Sequence, residues 1–278
     1  RALTAAGKPC LPREEARMKI RAAVQAAKAS GILVMARTDC RPTAGIDEAV
    51  ARIEMFTEEG ADILELGCPF SDPSADGVAI ARASQRALAR GGGLEETLRV
   101  AKAIRDKSPI PMVLFGYYNP LFVRGEADAV RAVAQAGIDA LLVVDLPIDE
   151  SQSLREAAAE RNIGVIPLVA PTTKLDRIAR ITETAERYPV PFIYYVSMTG
   201  VTGGAGATEV LGKAGEEAKR VRELTKRPTV VGFGIDSGER AAIAAKDADG
   251  VVVGSEIVRR IERGSGLREL IKELRGAV

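Results

Sequence analysis

Two acidic residues flank a turn that follows an apolar strand pattern, and they are the first candidates for chemistry. The stretch ELGCPFSDPSADG begins at Glu65, within the apolar run ADILEL, and carries Asp76 at the far side of the turn. An ionised carboxylate is costly to bury unless it is paired, and carboxylates can serve as general acids and bases. The alternative is a surface carboxylate at a strand end together with a helix-capping aspartate, because turns favour Asp, Pro and Ser in any case.

The chain contains no histidine, which limits the chemistry that it can perform. A Ser-His-Asp triad, a Cys-His pair and a His-ligated metal site are all excluded. General acid and base catalysis therefore falls to carboxylates, tyrosine or lysine. The three cysteines, Cys10, Cys40 and Cys68, are widely spaced and form no CxxC pair, so we expect reduced, inert thiols and no metal site.

A second group of candidates follows the last two apolar runs. The segments GFGID (232–236) and VGSEI (253–257) combine glycines, which allow a close backbone approach, with the start of a short helix, whose free N–H groups can hold an anion. The alternative is that these glycines only tighten turns. We expect a phosphate site made of Phe233, Gly234, Gly254 and Ser255, completed by Thr202 and Gly203 from the preceding loop.

The elements that position these residues are short aliphatic runs that alternate with helical patterns, at 45–61, 93–107, 125–137, 149–164, 174–188, 215–227 and 237–248. Near-continuous apolar strands are typical of parallel sheets covered by helices, and eight of them predict a single (β/α)8 TIM barrel over residues 1–278, an α/β fold, here with an extra N-terminal helix at 12–31. Active sites of such barrels lie at the carboxyl ends of the strands, where Glu65 and the glycine segments fall. The eight runs are 32–36, 62–66, 111–115, 140–144, 164–169, 192–196, 228–233 and 249–254.

The composition excludes two classes of binding partner. The 278 residues are 46% hydrophobic, enough for one large aliphatic core, and the net charge of +1 provides no basic face for nucleic acid. No apolar run approaches the roughly 20 residues that span a bilayer, and the first ten residues lack the apolar segment of a secretory signal. We therefore expect a cytoplasmic protein with no nucleic-acid or membrane partner.

Seven motifs occur in an order and spacing that resemble one enzyme family over residues 62–278, the tryptophan synthase alpha subunit. That family cleaves indole-3-glycerol phosphate to indole and glyceraldehyde 3-phosphate without a metal or organic cofactor, and it works with a beta subunit that consumes the indole. The resemblance therefore implies a carbon–carbon lyase of tryptophan biosynthesis. The motifs are ELGCPFSDPSADG, FGYYNPLF, VVDLPIDES, APTT, FIYYVSMTGVTGGAG, VVGFGIDSGE and ADGVVVGSEIV.

The resemblance also implies roles for four residues. Glu65 matches the catalytic acid/base: cleavage requires protonation of the indole C3 and removal of a hydroxyl proton, and one carboxyl group can move both protons. Asp76 matches a second acidic residue, whose negative charge would stabilise the positive charge that develops near the indole N–H. Tyr194 matches an active-site tyrosine and is expected to orient Glu65, and Phe115 is expected to flank the indole. As strand residues, Tyr194 and Phe115 could equally belong to a plain core.

The N-terminal segment of the chain differs from this family's pattern. Where the alpha subunit reads like YLTAGDPD, the first run here is ILVMARTD, and with GKPCLPREEARMKIRAA before it the segment 7–62 resembles the isocitrate lyase/phosphoenolpyruvate mutase superfamily. There the ARTD arginine, Arg37 here, helps to bind a substrate carboxylate. The superfamily's Cys-Gly-His loop and its acidic Mg²⁺ ligands are absent from this sequence, which argues against its chemistry.

These observations lead us to interpret the chain as a chimera of two barrels. We expect weak or undetectable lyase activity, because the replaced first strand and its loop would form the wall at the indole end of the pocket. Met198 stands where the alpha family commonly has Arg, and Ser74 where it commonly has Leu, and both differences are expected to affect loop closure. The alternative is a catalytically silent barrel that keeps a phosphate-binding site. We also expect the first run, 32–36, to pair in parallel with 62–66 and with 249–253, which would close the ring.

Overall fold

The strands follow the aliphatic runs of the sequence. The computed structural model describes residues 35–36, 63–197, 207–232, 235–253, 255, 256 and 259. Each of the eight predicted runs contains a strand, and the run at 164–169 contains two. The strands are β1 (Met35–Ala36), β2 (Ile63–Gly67), β3 (Met112–Gly116), β4 (Ala140–Val143), β5 (Gly164–Val165), β6 (Leu168–Val169), β7 (Ile193–Val196), β8 (Thr229–Gly232) and β9 (Gly250–Val252).

Helices separate most of these strands, and two of them were not predicted from the sequence, α1 and α3. The helix α3 contains Pro120 as its third residue, a first-turn position whose N–H has no partner within a helix, so that proline is tolerated there. The predicted helix at 12–31 lies outside the described residues. The helices are α1 (Val78–Leu88), α2 (Leu94–Arg105), α3 (Tyr118–Arg124), α4 (Glu126–Gln135), α5 (Gln152–Ala159), α6 (Leu175–Arg187), α7 (Ala207–Thr225) and α8 (Gly238–Ala245), with a 3₁₀ turn at Ile148–Glu150.

The strands pair in parallel and in chain order. The strands β1 to β5 form one sheet and β6 to β9 a second one. Sequential parallel strands with helices between them are the arrangement of a (β/α)8 barrel, which confirms the predicted fold class. The pairing of β1 with β2, Met35 opposite Ile63, confirms the expected parallel contact of the first two runs. Among the described residues, Met35–Ala36 of the first run does not pair with β9; residues 32–34 lie outside the described residues, and the expected contact with 249–253 stays a prediction.

The predicted fifth strand is divided into two short strands on either side of Ile166 and Pro167. The strand β5 pairs with β4, whereas β6 pairs with β7. Between them, the N–H of Ile166 donates to the carbonyl of Leu141 at 2.9 Å, and the carbonyl of Pro167 accepts from the N–H of Tyr194 at 3.0 Å. The N–H of Val165 in β5 also donates to the Pro189 carbonyl, on the β7 side, at 3.2 Å, so the run lies between both neighbours, and Pro167, which has no N–H to donate, stands at its interruption.

A buried arginine supports the same strand. Arg155 of α5 is 3% exposed and donates to the Ser151 hydroxyl and to the Val165 carbonyl of β5, each at 2.8 Å. Burial lowers the pKa of its guanidinium to about 10. The cation therefore remains charged at neutral pH and fastens the short strand β5 to the helix that precedes it.

Apolar side chains form two kinds of layer around the strands. Alternate residues of a strand face opposite sides of a sheet. Leu64 and Leu66 of β2 pack outwards with the buried faces of α2 and α4, and the second sheet packs in the same way against α6, α7 and α8. The strand residues of opposite parity form the inner layer of the barrel, whose buried members are Val113, Ala140, Leu142, Ile166, Phe192 and Tyr194.

Candidate active site

Glu65 lies on β2 and is buried, with 7% of its surface exposed. Its neighbours Leu64 and Leu66 face the helices, and Ile63 packs against the inner layer, so alternation turns Glu65 towards the barrel interior. It pairs in register with Val113, a member of that layer. The alternative of a surface carboxylate is therefore wrong for Glu65. A carboxyl group inside an apolar barrel is placed to exchange protons with a bound molecule.

Phe115 lies at the carboxyl end of β3 and is half-buried. It packs against the inner layer and stands in register with Gly67 and Leu142. The predicted flanking residue is thus located at the strand edge, two residues beyond the level of Glu65. Its position is suited to one wall of a pocket above the carboxyl group, as well as to the core.

Tyr194 of β7 lies in the same inner layer and is 5% exposed. Its ring crosses over Gly232 of β8: a Cβ atom at Gly232 would lie 1.9 Å from the Tyr194 hydroxyl oxygen and 2.3 Å from Cζ. The carbonyl of Gly232 also accepts from both the N–H and the hydroxyl of Ser197, each at 2.9 Å. The structure thus brings Tyr194 into the interior that Glu65 faces, and glycine at 232 is what admits the ring.

Asp76 lies in the loop between β2 and α1 and is half-buried. The residue at the N-cap of α1 is Gly77, so the alternative that Asp76 is the N-cap residue of this helix is wrong. The loop is folded by local hydrogen bonds, including Asp76 N–H to the Pro73 carbonyl at 3.1 Å. Asp76 thus stands at the same edge of the sheet as the end of β2.

Tyr117, which sequence reasoning missed, contacts this loop from the end of β3. Its hydroxyl accepts from the N–H of Ala75 at 3.0 Å and hydrogen-bonds to the Asp76 carboxylate. Burial, followed by the negative charges of Asp76 and Asp145, raises the pKa of Tyr117 well above its usual range. The signal that identifies it is its place in FGYYNPLF, directly after the third strand on the edge where barrels keep their sites.

The predicted phosphate site lies mostly outside the described residues. Ser255 is described, is half-buried and is helical. The strands that lead to the site are adjacent, with Gly232 of β8 in register with Val252 of β9, so the segments that follow them start side by side. The other predicted members, Thr202, Gly203, Phe233, Gly234 and Gly254, are outside the described residues, as are Arg37 and Met198.

Within the described part of the chain, no group of three or more His, Cys, Asp or Glu side chains is placed to hold a metal ion. No helix among these residues is long and apolar enough to cross a membrane. Cys68 is a free, buried thiol.

Comparisons with known proteins agree on one family. The family model for the tryptophan synthase alpha chain matches residues 23–276. The tryptophan synthase alpha chain of Citrifermentans bemidjiense is 45% identical over 219 residues, which cover 79% of each chain. That of a Picosynechococcus strain is 39% identical over 233 residues, 81% of this chain and 86% of the relative.

Solved structures give the same result. The alpha chain in a tryptophan synthase α2β2 complex from Pyrococcus furiosus is 31% identical, with a TM-score of 0.74 over 88% of this chain and 97% of that one. A tryptophan synthase structure from Mycobacterium tuberculosis is 33% identical, with a TM-score of 0.73 over 93% and 97%.

Proposed function

Because the chain belongs to the tryptophan synthase alpha chain family, we propose that it cleaves indole-3-glycerol phosphate to indole and glyceraldehyde 3-phosphate. The observation that carries the proposal is Glu65, a carboxyl group buried on β2 and turned into an interior lined mainly by apolar side chains and by Tyr194. The reaction needs a proton delivered to the indole C3 and a proton removed from the side-chain hydroxyl. The C–C bond then breaks, its electron pair restores the indole ring, and the hydroxyl oxygen becomes that of the aldehyde.

We assign Glu65 to both proton transfers. Asp76 at the strand edge would accept a hydrogen bond from the indole N–H. Its negative charge would stabilise the positive charge that the ring carries once C3 is protonated. Tyr194 would orient Glu65, since its ring lies in the same interior, and Phe115 would flank the indole. The phosphate group would bind at the carboxyl edge of β8 and β9. The residues proposed to bind it are Ser255, Thr202, Gly203, Phe233, Gly234 and Gly254.

The experiment is to supply indole-3-glycerol phosphate and measure the release of indole. We expect release by the wild type and none above background by Glu65→Gln, which keeps the shape of the side chain and removes the proton shuttle. Glu96→Gln is the matched control, because Glu96 is equally buried, 5% exposed, but lies on α2 and pairs with Arg99. Equal turnover by Glu65→Gln would assign the chemistry to another group.

A second proposal concerns the partner. The Pyrococcus furiosus relative is described as part of an α2β2 complex, and we propose a tryptophan synthase beta subunit as the partner of this chain. Phe122 and Val123 of α3, which follows β3, are 61% and 77% exposed and give the carboxyl edge of the barrel an apolar surface. Phe122→Asp with Val123→Asp should abolish co-elution with a beta subunit while indole release by the isolated chain persists.

The third proposal concerns the origin of residues 7–62. We propose that segment 7–62 is an exchanged first unit of the isocitrate lyase superfamily type that completes one barrel with residues 62–278. The parallel register of β1 with β2 supports its place in the sheet. We propose that the first strand and its loop form the wall at the indole end of the pocket, so that replacing residues 32–46 by an alpha-family strand and loop should raise the rate of indole release by orders of magnitude. Family-like turnover by the unmodified chain would refute this interpretation, and phosphate binding without any turnover would favour the silent barrel.

The proposed location is the cytoplasm. The reaction consumes a phosphorylated metabolite, and the buried Cys68 thiol is free, which suits a reducing compartment.

A further inference from the structure

The ring of Tyr117 is fixed by packing, in addition to the hydrogen bonds of its hydroxyl. It follows β3 directly and is 4% exposed. Its ring lies 5.2 Å, centre to centre, from that of Phe70, and it lines a small apolar cavity with Cys68, Pro120 and Val143. A ring enclosed in this way fixes the place of its oxygen atom.

The hydroxyl joins two segments that are far apart in the chain. Its oxygen accepts from the N–H of Ala75 at 3.0 Å, across 42 residues of sequence, and its O–H is then available to donate to the Asp76 carboxylate, with which it hydrogen-bonds. The nearby Asp145 already accepts from the N–H of Tyr118 at 2.7 Å. The two bonds use the donor and a lone pair of a single phenol, and both end on the residues that close the β2–α1 loop.

The loop has a second connection to the sheet at its start. There the N–H of Cys68 donates to the carbonyl of Phe115 at 2.8 Å, whereas Ser74 and Asp76 donate within the loop, to the carbonyls of Asp72 and Pro73. The Tyr117 hydroxyl therefore ties the far end of the loop to the end of β3. Loss of this hydroxyl would leave the backbone at Ala75 and the Asp76 carboxylate without that tie.

We infer that Tyr117 is a positioning residue of the lyase reaction, whose hydroxyl holds the Asp76 carboxylate in the direction from which it meets the indole N–H. The inference rests on the proposed function. Misplacement of a reacting group by about 1 Å costs roughly 100-fold in rate, and the charge on the indole ring develops only during the reaction. The loss should therefore be in kcat rather than in KM.

The test compares Tyr117→Phe, which removes one oxygen atom, with Tyr118→Phe as the matched control. The Tyr118 hydroxyl bonds to Glu126 at 2.9 Å, away from the loop. For indole release we expect Tyr117→Phe to lower kcat about tenfold to 100-fold with KM changed less than about twofold, and Tyr118→Phe to leave both constants near those of the wild type. An unchanged kcat, or a loss confined to KM, would overturn the inference.

A double variant separates positioning from a general weakening of the structure. If Tyr117 acts through Asp76, Tyr117→Phe should have little further effect on the residual rate of Asp76→Asn, measured at high enzyme concentration. The same fold-loss in both backgrounds would show that the hydroxyl only supports the fold.

Amide exchange of Ala75, followed by NMR, gives a readout that needs no activity. It should be faster in Tyr117→Phe than in the wild type and in Tyr118→Phe, because the N–H loses its acceptor. Equal exchange rates overturn the inference. A wild type that releases no indole but shows this pattern refutes the proposed function alone.

Discussion

Gly232→Ala tests how the interior is built around Tyr194. The new Cβ would lie 1.9 Å from the Tyr194 hydroxyl oxygen, 2.3 Å from Cζ and 2.6 Å from Cε1. Since non-bonded atoms settle near 3.5 Å, the ring would have to retreat by about 1.5 Å. Its neighbours in the inner layer, Val113, Leu142 and Ile166, are 1–3% exposed, so there is little room to retreat into.

Overpacking of this kind costs about 1–3 kcal/mol. For a chain of this size that is a fall of roughly 2–12 °C in the midpoint of thermal unfolding. If Tyr194 orients Glu65, a displacement of this size also lowers indole release by about 100-fold or more. Gly250→Ala is the control, because its Cβ would meet only the Val230 side chain, at 3.3 Å.

The decisive variant combines Gly232→Ala with Tyr194→Leu, which removes the ring atoms that clash. Each change alone should lower the midpoint of thermal unfolding. The loss in the double variant should be smaller than the sum of the two single losses, because one change makes the space that the other needs. Thermal unfolding followed by circular dichroism measures this. Additive losses would show that the ring and the glycine do not share that space, and the reasoning would fail.

Three further predictions concern groups outside this contact. Burial raises the pKa of the Cys68 thiol to about 11, so at pH 8 about one molecule in 1,000 carries the thiolate, and the peptide with Cys68 should resist iodoacetamide until the protein is unfolded, as read by mass spectrometry. Arg155→Met should lower the unfolding midpoint by several degrees, since it removes two buried hydrogen bonds from a charged donor, each worth about 1.5–3 kcal/mol, whereas Arg161→Met at an exposed position should not. Ser255→Asp should raise the KM for indole-3-glycerol phosphate at least tenfold by repelling the phosphate, and Ser237→Asp, at the capped start of α8, should leave it nearly unchanged.

The sequence predicts most of the strands because their signal is local. Buried parallel strands read as short aliphatic runs, and each of the eight runs holds a strand. What the pattern does not reveal is an interruption: the run 164–169 is apolar throughout, yet it is divided into β5, which pairs with β4, and β6, which pairs with β7. The helix α3 is hidden in a similar way, since the proline of YYNP suggests a turn unless its first-turn position is known.

The candidate site is predictable to the extent that it depends on strand ends. Glu65 stands out because a carboxylate within an aliphatic run needs a reason, and burial on β2 agrees with that expectation. Tyr117 does not stand out, because its importance comes from a hydrogen bond across 42 residues, and no local pattern encodes such a distance. The need for glycine at 232 is likewise set by a ring on the neighbouring strand.

The division at Pro167 also has a consequence for synthesis on the ribosome. Once residue 166 has emerged, β2 to β5 possess their own outer core, but the inner face and the edge of the run 164–169 that faces β7 are uncovered until β7, with Tyr194, has been made. At about 5–20 residues per second, the 30 residues from 167 to 196 take roughly 2–6 s to make. During that interval the nascent chain presents an unpaired strand edge beside an apolar face, the combination that promotes aggregation, and we expect chaperones that bind nascent chains to engage it there.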